Sequence, residues 1–224
     1  MRWHDLLFMH WPVDAEALRR RLPAGLAIDA FEGSAWIGVV PFRMTCVRPR
    51  LVPGLPGLSA FPELNVRTYV TRDGKPGVWF LSLDAASALA VRLARARFRL
   101  PYFRARMSCR ESDGWVDYAS ERIDSGAPAA GLAARYRPVG PTFLARPGTL
   151  DHFLTARYCL YATDRDGSLL RGEIDHPPWP LQSAECEVGR SSMIASHGLT
   201  PLSDRPRLLF ARRLDVAAWS VGPA

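Results

Sequence analysis

The stretch F-P-E-L-N-V-R-T-Y-V, Phe61 to Val70, decides how this chain reads. Side chains of a β-strand point alternately to opposite faces. Leu64, Val66, Thr68 and Val70 therefore share one face, and that face is core. Glu63, Asn65, Arg67 and Tyr69 share the other, an acid, an amide, a guanidinium and a phenol in one row. Two readings of that row stand side by side. A solvated sheet face with a Glu–Arg pair is the common outcome for a polar face. The lining of a closed cavity is the other. There Arg67 would grip a carboxylate bidentately and burial would raise the pKa of Glu63.

Working outward, D-G-K-P-G (73–77) turns the chain and 77–83 supplies the hairpin partner. Asp84 is read as the cap of a helix over 86–97. Upstream, 34–43 (S-A-W-I-G-V-V-P-F-R) is apolar on both faces and reads as a central strand. Residues 3–11 read as a buried strand stopped by Pro12, and Asp14 caps a short helix over 15–21. Residues 49–60, rich in Pro, Gly and Leu, read as an oily loop. Downstream, strands are expected at 102–111, 115–122, 132–138, 156–163, 169–175, 181–188 and 207–219. Short helices are expected from Thr149 and over 190–197. Mostly antiparallel hairpins with a few short helices make an α+β fold with a curved or barrel-like sheet. No linker divides residues 1–224, so one domain is expected.

Composition narrows the function classes. The chain has 224 residues, 48% apolar and 23% charged, with a formal net charge of +7. Those are ordinary globular values, which exclude a disordered tail and a disulfide miniprotein. Of the 29 basic residues only Lys75 is a lysine, and it sits in a turn sequence, so amine chemistry is not expected. The arginines from Arg92 to Arg110 are interleaved with apolar residues, and no zinc-finger or RNP-type motif accompanies them, which argues against a nucleic-acid partner. Cys46, Cys109, Cys159 and Cys186 form no C-x-x-C and read as buried free thiols. No apolar stretch reaches a membrane span and the start does not read as a signal peptide, so a cytoplasmic location is expected. His4 and His10 are six apart and read as sharing a strand face, too far apart to bind one metal. No metal motif or phosphate loop occurs, and neither metal nor cofactor is expected.

A series of longer motifs carries a resemblance. L-F-M-H-W-P-V, R-R-L-P-A-G-L, G-S-A-W-I-G-V-V-P-F-R-M, F-P-E-L-N-V-R-T-Y-V, G-V-W-F-L-S-L-D-A, R-F-R-L-P-Y, R-Y-C-L-Y and H-P-P-W-P-L-Q run through nearly the whole chain. Together they resemble the bacterial DUF2071 (YqjF-like) family, which is similar in fold to acetoacetate decarboxylase. The resemblance implies a cone-like, double-layered β-barrel around an internal cavity. In the decarboxylases a Pro-Lys-Lys supplies the Schiff-base lysine. The comparable stretch here is R-L-P-Y-F, in which Pro101 is kept and Tyr102 and Phe103 replace the lysines. A phenol cannot form a Schiff base, so decarboxylation by that route is not expected. Glu63 resembles the decarboxylase's cavity glutamate.

The candidate site follows. Glu63, Asn65 and Arg67 would form a polar floor, with Tyr69, Tyr102 and Arg157 as walls. Glu63 and Tyr102 are the candidates for proton transfer. Arg157 and Tyr161, in R-Y-C-L-Y, are read as sharing a face, with Tyr158 turned away as a packing residue. His176, at a strand end, is either a general base or a hydrogen-bonded structural residue. Trp179 and Gln182 would help line the cavity. The expected partner is a small acidic or oxygenated metabolite, a carboxylate among the options, and a homo-oligomer is compatible with the sequence. The activity would be lyase- or isomerase-like. A non-catalytic binding or interaction module is the alternative, favoured by the missing lysine.

Overall fold

The computed structural model describes residues 1–47 and 60–224. The oily loop expected at 49–60 lies, but for Ala60, outside the described residues. The elements are β1 (Arg2–Val13), α1 (Ala15–Arg19), β2 (Ala27–Ile28), β3 (Ala35–Thr45), β4 (Phe61–Arg72), β5 (Lys75–Ala85) and α2 (Ala88–Phe98). Then come β6 (Tyr102–Ser112), β7 (Trp115–Arg122), β8 (Gly131–Phe143), α3 (Leu150–Thr155), β9 (Cys159–Thr163), β10 (Leu169–Asp175) and β11 (Leu181–Ser191). A single 3-10 turn (Ala195–His197), β12 (Arg207–Asp215), β13 (Ala217–Ala218) and β14 (Gly222–Pro223) complete the chain.

The fold is mostly sheet with few helices. Hydrogen-bonded neighbours run β13-β10-β9-β5-β6-β7-β8-β11-β12-β1-β3-β4-β2, and β4 also pairs with β5. Pairings are antiparallel except where β5 meets β6 and β9. The β4–β5 hairpin turns on Asp73 and Gly74, both at positive φ (50° and 75°), the geometry that a two-residue Asp-Gly loop supplies.

Two apolar clusters lie on the two sides of β1 and β3. One gathers Leu7, Met9, Ile37, Val39, Leu64, Val66 and Tyr136, and the other Leu6, Phe8, Val40, Phe42, Trp179 and Leu181. Alternation sends successive residues of one strand into different clusters, which is why 34–43 has no polar face.

Several local expectations are corrected. β1 does not stop at Pro12 but runs to Val13. The Pro12 carbonyl accepts from Leu202 N, so its ring nitrogen faces the same way, beyond the last β1–β12 pair and away from β3. No ladder bond is therefore lost to the proline. Asp84 is not a helix cap. Ser87 caps α2, accepting from Ala90 N, and Asp84 lies inside β5. The helix expected over 190–197 is the end of β11 followed by the 3-10 turn. The closing strand expected at 207–219 ends at Asp215, and 217–218 pairs with β10 instead. The cysteines are free, but only Cys159 is buried; Cys46 is exposed. Apolar sequence neighbours do not fix which way a thiol faces.

His4 and His10 do not share a face. Asp5 adopts a positive φ of 54°, and the β1–β3 register shifts between His4 and Met9. The bulge reverses the alternation. Trp3 and Phe8, five positions apart, both pack on Trp179, so Trp3 and not His4 falls on the side of His10.

Candidate functional site

The polar row of β4 is buried along its length. Relative exposure is 3% for Glu63, 5% for Asn65, 8% for Arg67 and 0% for Tyr69, which removes the solvated-face reading. The row looks onto the cluster of Phe8, Phe42 and Trp179 rather than onto water.

At its head, Tyr102 Oη donates to Glu63 Oε2 at 3.0 Å. β5 brings them together. It pairs antiparallel with β4, Glu63 opposite Ala85, and parallel with β6, Leu83 opposite Tyr102. Burial pushes the Glu63 carboxyl up to about 8, opposed by the Tyr102 hydrogen bond and helped by the charge of Asp84. Near neutral pH the acid therefore keeps its proton. Burial likewise holds the Tyr102 phenol well above its usual range.

At the other end, Arg67, Tyr69 and His10 meet the last turn of α3. Arg67 Nη2 donates to the Leu154 carbonyl at 3.2 Å, and Tyr69 Oη donates to the same oxygen at 2.8 Å. His10 Nε2 lies 2.7 Å from Tyr69 Oη. Two oxygens 2.8 Å apart need a proton between them, and only the phenol can supply it. His10 Nε2 must then be the N–H that donates to Tyr69. Burial, and then the charge of Arg67, hold His10 well below the ordinary histidine range, so the ring is neutral. Its Nδ1 is a bare acceptor, buried and without a partner among the described residues. His10 reaches this place because Gly38 lies between it and Arg67 in the pairing of β1, β3 and β4. A Cβ on Gly38 would sit 2.8 Å from the imidazole Cδ2 and Nε2.

Three atoms of this group are buried and have no partner among the described residues: Asn65 Oδ1, Arg67 Nε and His10 Nδ1. Among the described residues Arg67 has no ion pair. Its guanidinium lies 5.3 Å from the Phe8 ring centroid and 5.9 Å from that of Tyr69. Orphaned polar atoms are rare in interiors, and a buried cation without a counter-charge is rarer.

The remaining candidates are placed as follows. Arg157 is buried just before β9, with Nη1 ion-paired to Asp29 and Nε donating to Phe153 O at 2.8 Å. Its guanidinium covers the rings of Tyr69 (4.9 Å) and Phe153 (4.3 Å). Trp179 Nε1 donates to Thr155 O at 2.9 Å and roofs Phe8. His176 has backbone carbonyls at both nitrogens, Pro177 O at 2.8 Å and Arg157 O at 3.3 Å, and stacks on the half-exposed Tyr158. Two residues lie apart from the row. Tyr161 sits in a separate cluster with Val70, its hydroxyl on the Lys75 carbonyl at 3.0 Å. Arg157 precedes β9, so the expected shared strand face with Tyr161 does not form. Gln182 points away from the buried Leu181 and donates to Gly140 O at 2.8 Å.

A surface cleft of about 400 Å³ is lined by Asp29, Phe31, His152, Phe153 and Arg157 among others. Phe153 and Arg157 thus face the cleft on one side and Tyr69 on the other. Neither this cleft nor a smaller one of about 360 Å³ beside Phe103 includes Glu63, Asn65 or Arg67 in its lining.

Sequence reasoning missed a second buried polar group. Asp84 and Arg122 form a fully buried ion pair at 2.8 Å, with Arg122 over the Phe103 ring at 4.2 Å. Ser82 Oγ lies 3.0 Å from His197 Nε2, and burial takes that imidazole down to about 4. Ser82 and Asp84 pair opposite Val66 and Leu64, so they face away from the row of Glu63. Lys75 is half-exposed and ion-paired to Glu173 at 2.7 Å. Among the described residues, no three His, Cys, Asp or Glu side chains are grouped as a metal site, and no helix is long and apolar enough to cross a membrane.

The chain is 45% identical over 217 residues to "Uncharacterized protein YqjF" of Bacillus subtilis (strain 168), covering 97% of this chain and 88% of that protein. Acetoacetate decarboxylase from Legionella pneumophila superposes with a TM-score of 0.62 at 11% identity, over 100% of this chain and 88% of that one. The enduracididine biosynthesis enzyme MppR complexed with pyruvate gives a TM-score of 0.63 at 16% identity, over 98% and 90%. The fold is therefore that of the acetoacetate decarboxylase-like proteins, with Tyr102 and Phe103 following the proline of the R-L-P-Y-F stretch. Since residues 1–215 also match DUF2071, described as "Uncharacterized conserved protein", the chain belongs to the DUF2071 family.

Proposed function

We propose that this chain binds a small carboxylate at the polar row of β4, with Arg67 as the anion site and Glu63 with Tyr102 as a proton-transfer pair. The observation that carries the reading is the buried, uncompensated guanidinium of Arg67. Burying a cation costs several kcal/mol unless a counter-charge answers it. A ligand carboxylate on Nε would supply both the charge and the missing hydrogen bond. A barrel fits the pairing path. It runs from β5 through β8, β12 and β1 and returns to β5 by way of β4, and we read it as closed around the cluster of Leu64, Val66 and Tyr136, with the row on the opposite face of β4 beneath Trp179 and Leu154. The cleft beside Phe153 and Arg157 is the route of entry in this reading. MppR, of the same fold, has been seen with pyruvate, itself a small carboxylate.

The chemistry available is proton transfer. Glu63 near neutral pH is an acid in a dry setting, linked to the Tyr102 hydroxyl. Such a pair can give a proton to a carbonyl or enolate oxygen and take one back, a lyase- or isomerase-like role. A Schiff base is not part of it, because Lys75 sits at the surface with Glu173. The second reading is a non-catalytic binder, which the Tyr102–Phe103 replacement favours.

Thermal shift against a panel of small monocarboxylates tests the binding. Wild type should be stabilised, and Arg67→Met, which keeps the packing but not the charge, should not respond. Equal stabilisation of both proteins overturns the reading. Turnover of the same panel, followed by proton NMR, separates enzyme from binder.

A further inference from the structure

The atoms left unpartnered in the row carry more than a charge preference, because their donor and acceptor types differ. Arg67 Nε is a donor, whereas Asn65 Oδ1 and His10 Nδ1 are acceptors. The assignment at His10 follows from the proton that Tyr69 must place on Leu154 O. A carboxylate offers acceptors only, so it answers Arg67 and leaves Asn65 and His10 as they are. A ketone oxygen beside the carboxylate is one more acceptor; it would face His10 Nδ1 without a proton, and would meet a donor on Asn65 only if the amide turned its Nδ2 inward. A hydroxyl has the proton they lack. Asn65 and Arg67 are next-but-one neighbours on one face of β4, with Cα atoms roughly 7 Å apart. That separation matches a carboxylate and a nearby hydroxyl, each one hydrogen bond from its partner.

Charge excludes the other common donor. An ammonium group would enter a buried region that already holds the Arg67 guanidinium, with no ionised carboxylate described in contact with it.

We infer that the ligand is a hydroxy carboxylate, its carboxylate on Arg67 and its hydroxyl donating to Asn65 Oδ1, and that the site discriminates against the matching oxo and amino acids. This rests on the carboxylate reading above and narrows it to one oxidation level. A polar site built for a hydroxyl rejects an analogue without one by a large factor, since its own buried atoms are then left unpaired.

The test is calorimetric titration of the full chain at neutral pH with matched probes: lactate, pyruvate and alanine, then 3-hydroxybutyrate and acetoacetate. Each hydroxy acid should bind at least about tenfold more tightly than its oxo partner, and alanine should bind no better than pyruvate. Asn65→Leu should bring lactate and pyruvate to within about twofold of each other, and its own melting temperature reports whether it folds. The wild-type comparison stands without that variant. Equal binding of lactate and pyruvate, both lost in Arg67→Met, overturns the hydroxyl assignment and leaves the carboxylate site standing. Tighter pyruvate or alanine binding also overturns it. Binding of neither series overturns the carboxylate reading and this inference together.

Discussion

Replacing Glu63 by Gln should make the protein more stable, by an amount that grows with pH. The acid titrates near 4.5 in an unfolded chain and at about 8 in the fold, with burial as the main cause. Below pH 4.5 both states hold the proton. Between 4.5 and 8 only the folded state holds it, so each pH unit weakens folding by about 1.4 kcal/mol. The loss sums to about 5 kcal/mol once pH has passed 8. Gln matches the protonated acid in shape, carries no titrating proton, and its Oε1 can still accept from Tyr102. The two proteins should agree within about 1 kcal/mol at pH 4. Glu63→Gln should lead by about 3 kcal/mol at pH 7 and about 5 kcal/mol at pH 8.5. Urea unfolding followed by tryptophan fluorescence, at intervals from pH 4 to 9, measures the difference, and every other titrating group cancels in it. A gap between the two curves that stays constant across that range would refute the argument, because Glu63 would then ionise as it does in water.

Three further outcomes are expected. Gly38→Ala should cost roughly 1–3 kcal/mol, since its Cβ would meet His10 at 2.8 Å between two packed strands; a chemical denaturation curve unchanged from wild type would contradict the close approach. Arg122→Met should cost about 3–5 kcal/mol by stranding Asp84 inside the fold, and adding Asp84→Asn should restore most of it; a double variant as weak as the single one would show that the pair is not what is lost. Lactate affinity should fall several-fold between pH 7 and 9, because Glu63 gains a negative charge in the same buried row as the anion on Arg67. A flat calorimetric profile over that interval would separate Glu63 from the ligand.

What the sequence disclosed, and what it hid, follows from which forces are local. Alternation along F-P-E-L-N-V-R-T-Y-V groups Glu63, Asn65, Arg67 and Tyr69 correctly, because pleating is a property of the strand itself. It cannot say what covers them. The cover comes from Leu154 and Trp179, about a hundred positions downstream, and nothing near β4 announces it. From the sequence His10 reads only as the face-mate of His4, too far from it to share a metal. Two signals bear on it: a glycine, Gly38, inside an otherwise bulky strand, which marks a close approach, and the bulge at Asp5, which alternation alone cannot foresee. Asp84 reads as a cap because an acid ahead of a helix is a common cap, yet Ser87 lies nearer the helix start and Arg122 claims the carboxylate. Parity groups Tyr161 with Arg157, but β9 begins only at Cys159.

The place of β1 has a consequence for how the protein is made. Its two neighbours in the sheet are β3, which follows within some thirty positions, and β12, whose Phe210 sits opposite Leu7. A ribosome adding about 5–20 residues per second leaves one edge of that first strand without its mate for some ten to forty seconds. Leu6, Leu7, Phe8 and Met9 lie on the waiting strand. An unpaired edge with so apolar a sequence is what holdase chaperones recognise, and what aggregates when synthesis stalls short of the last long strand.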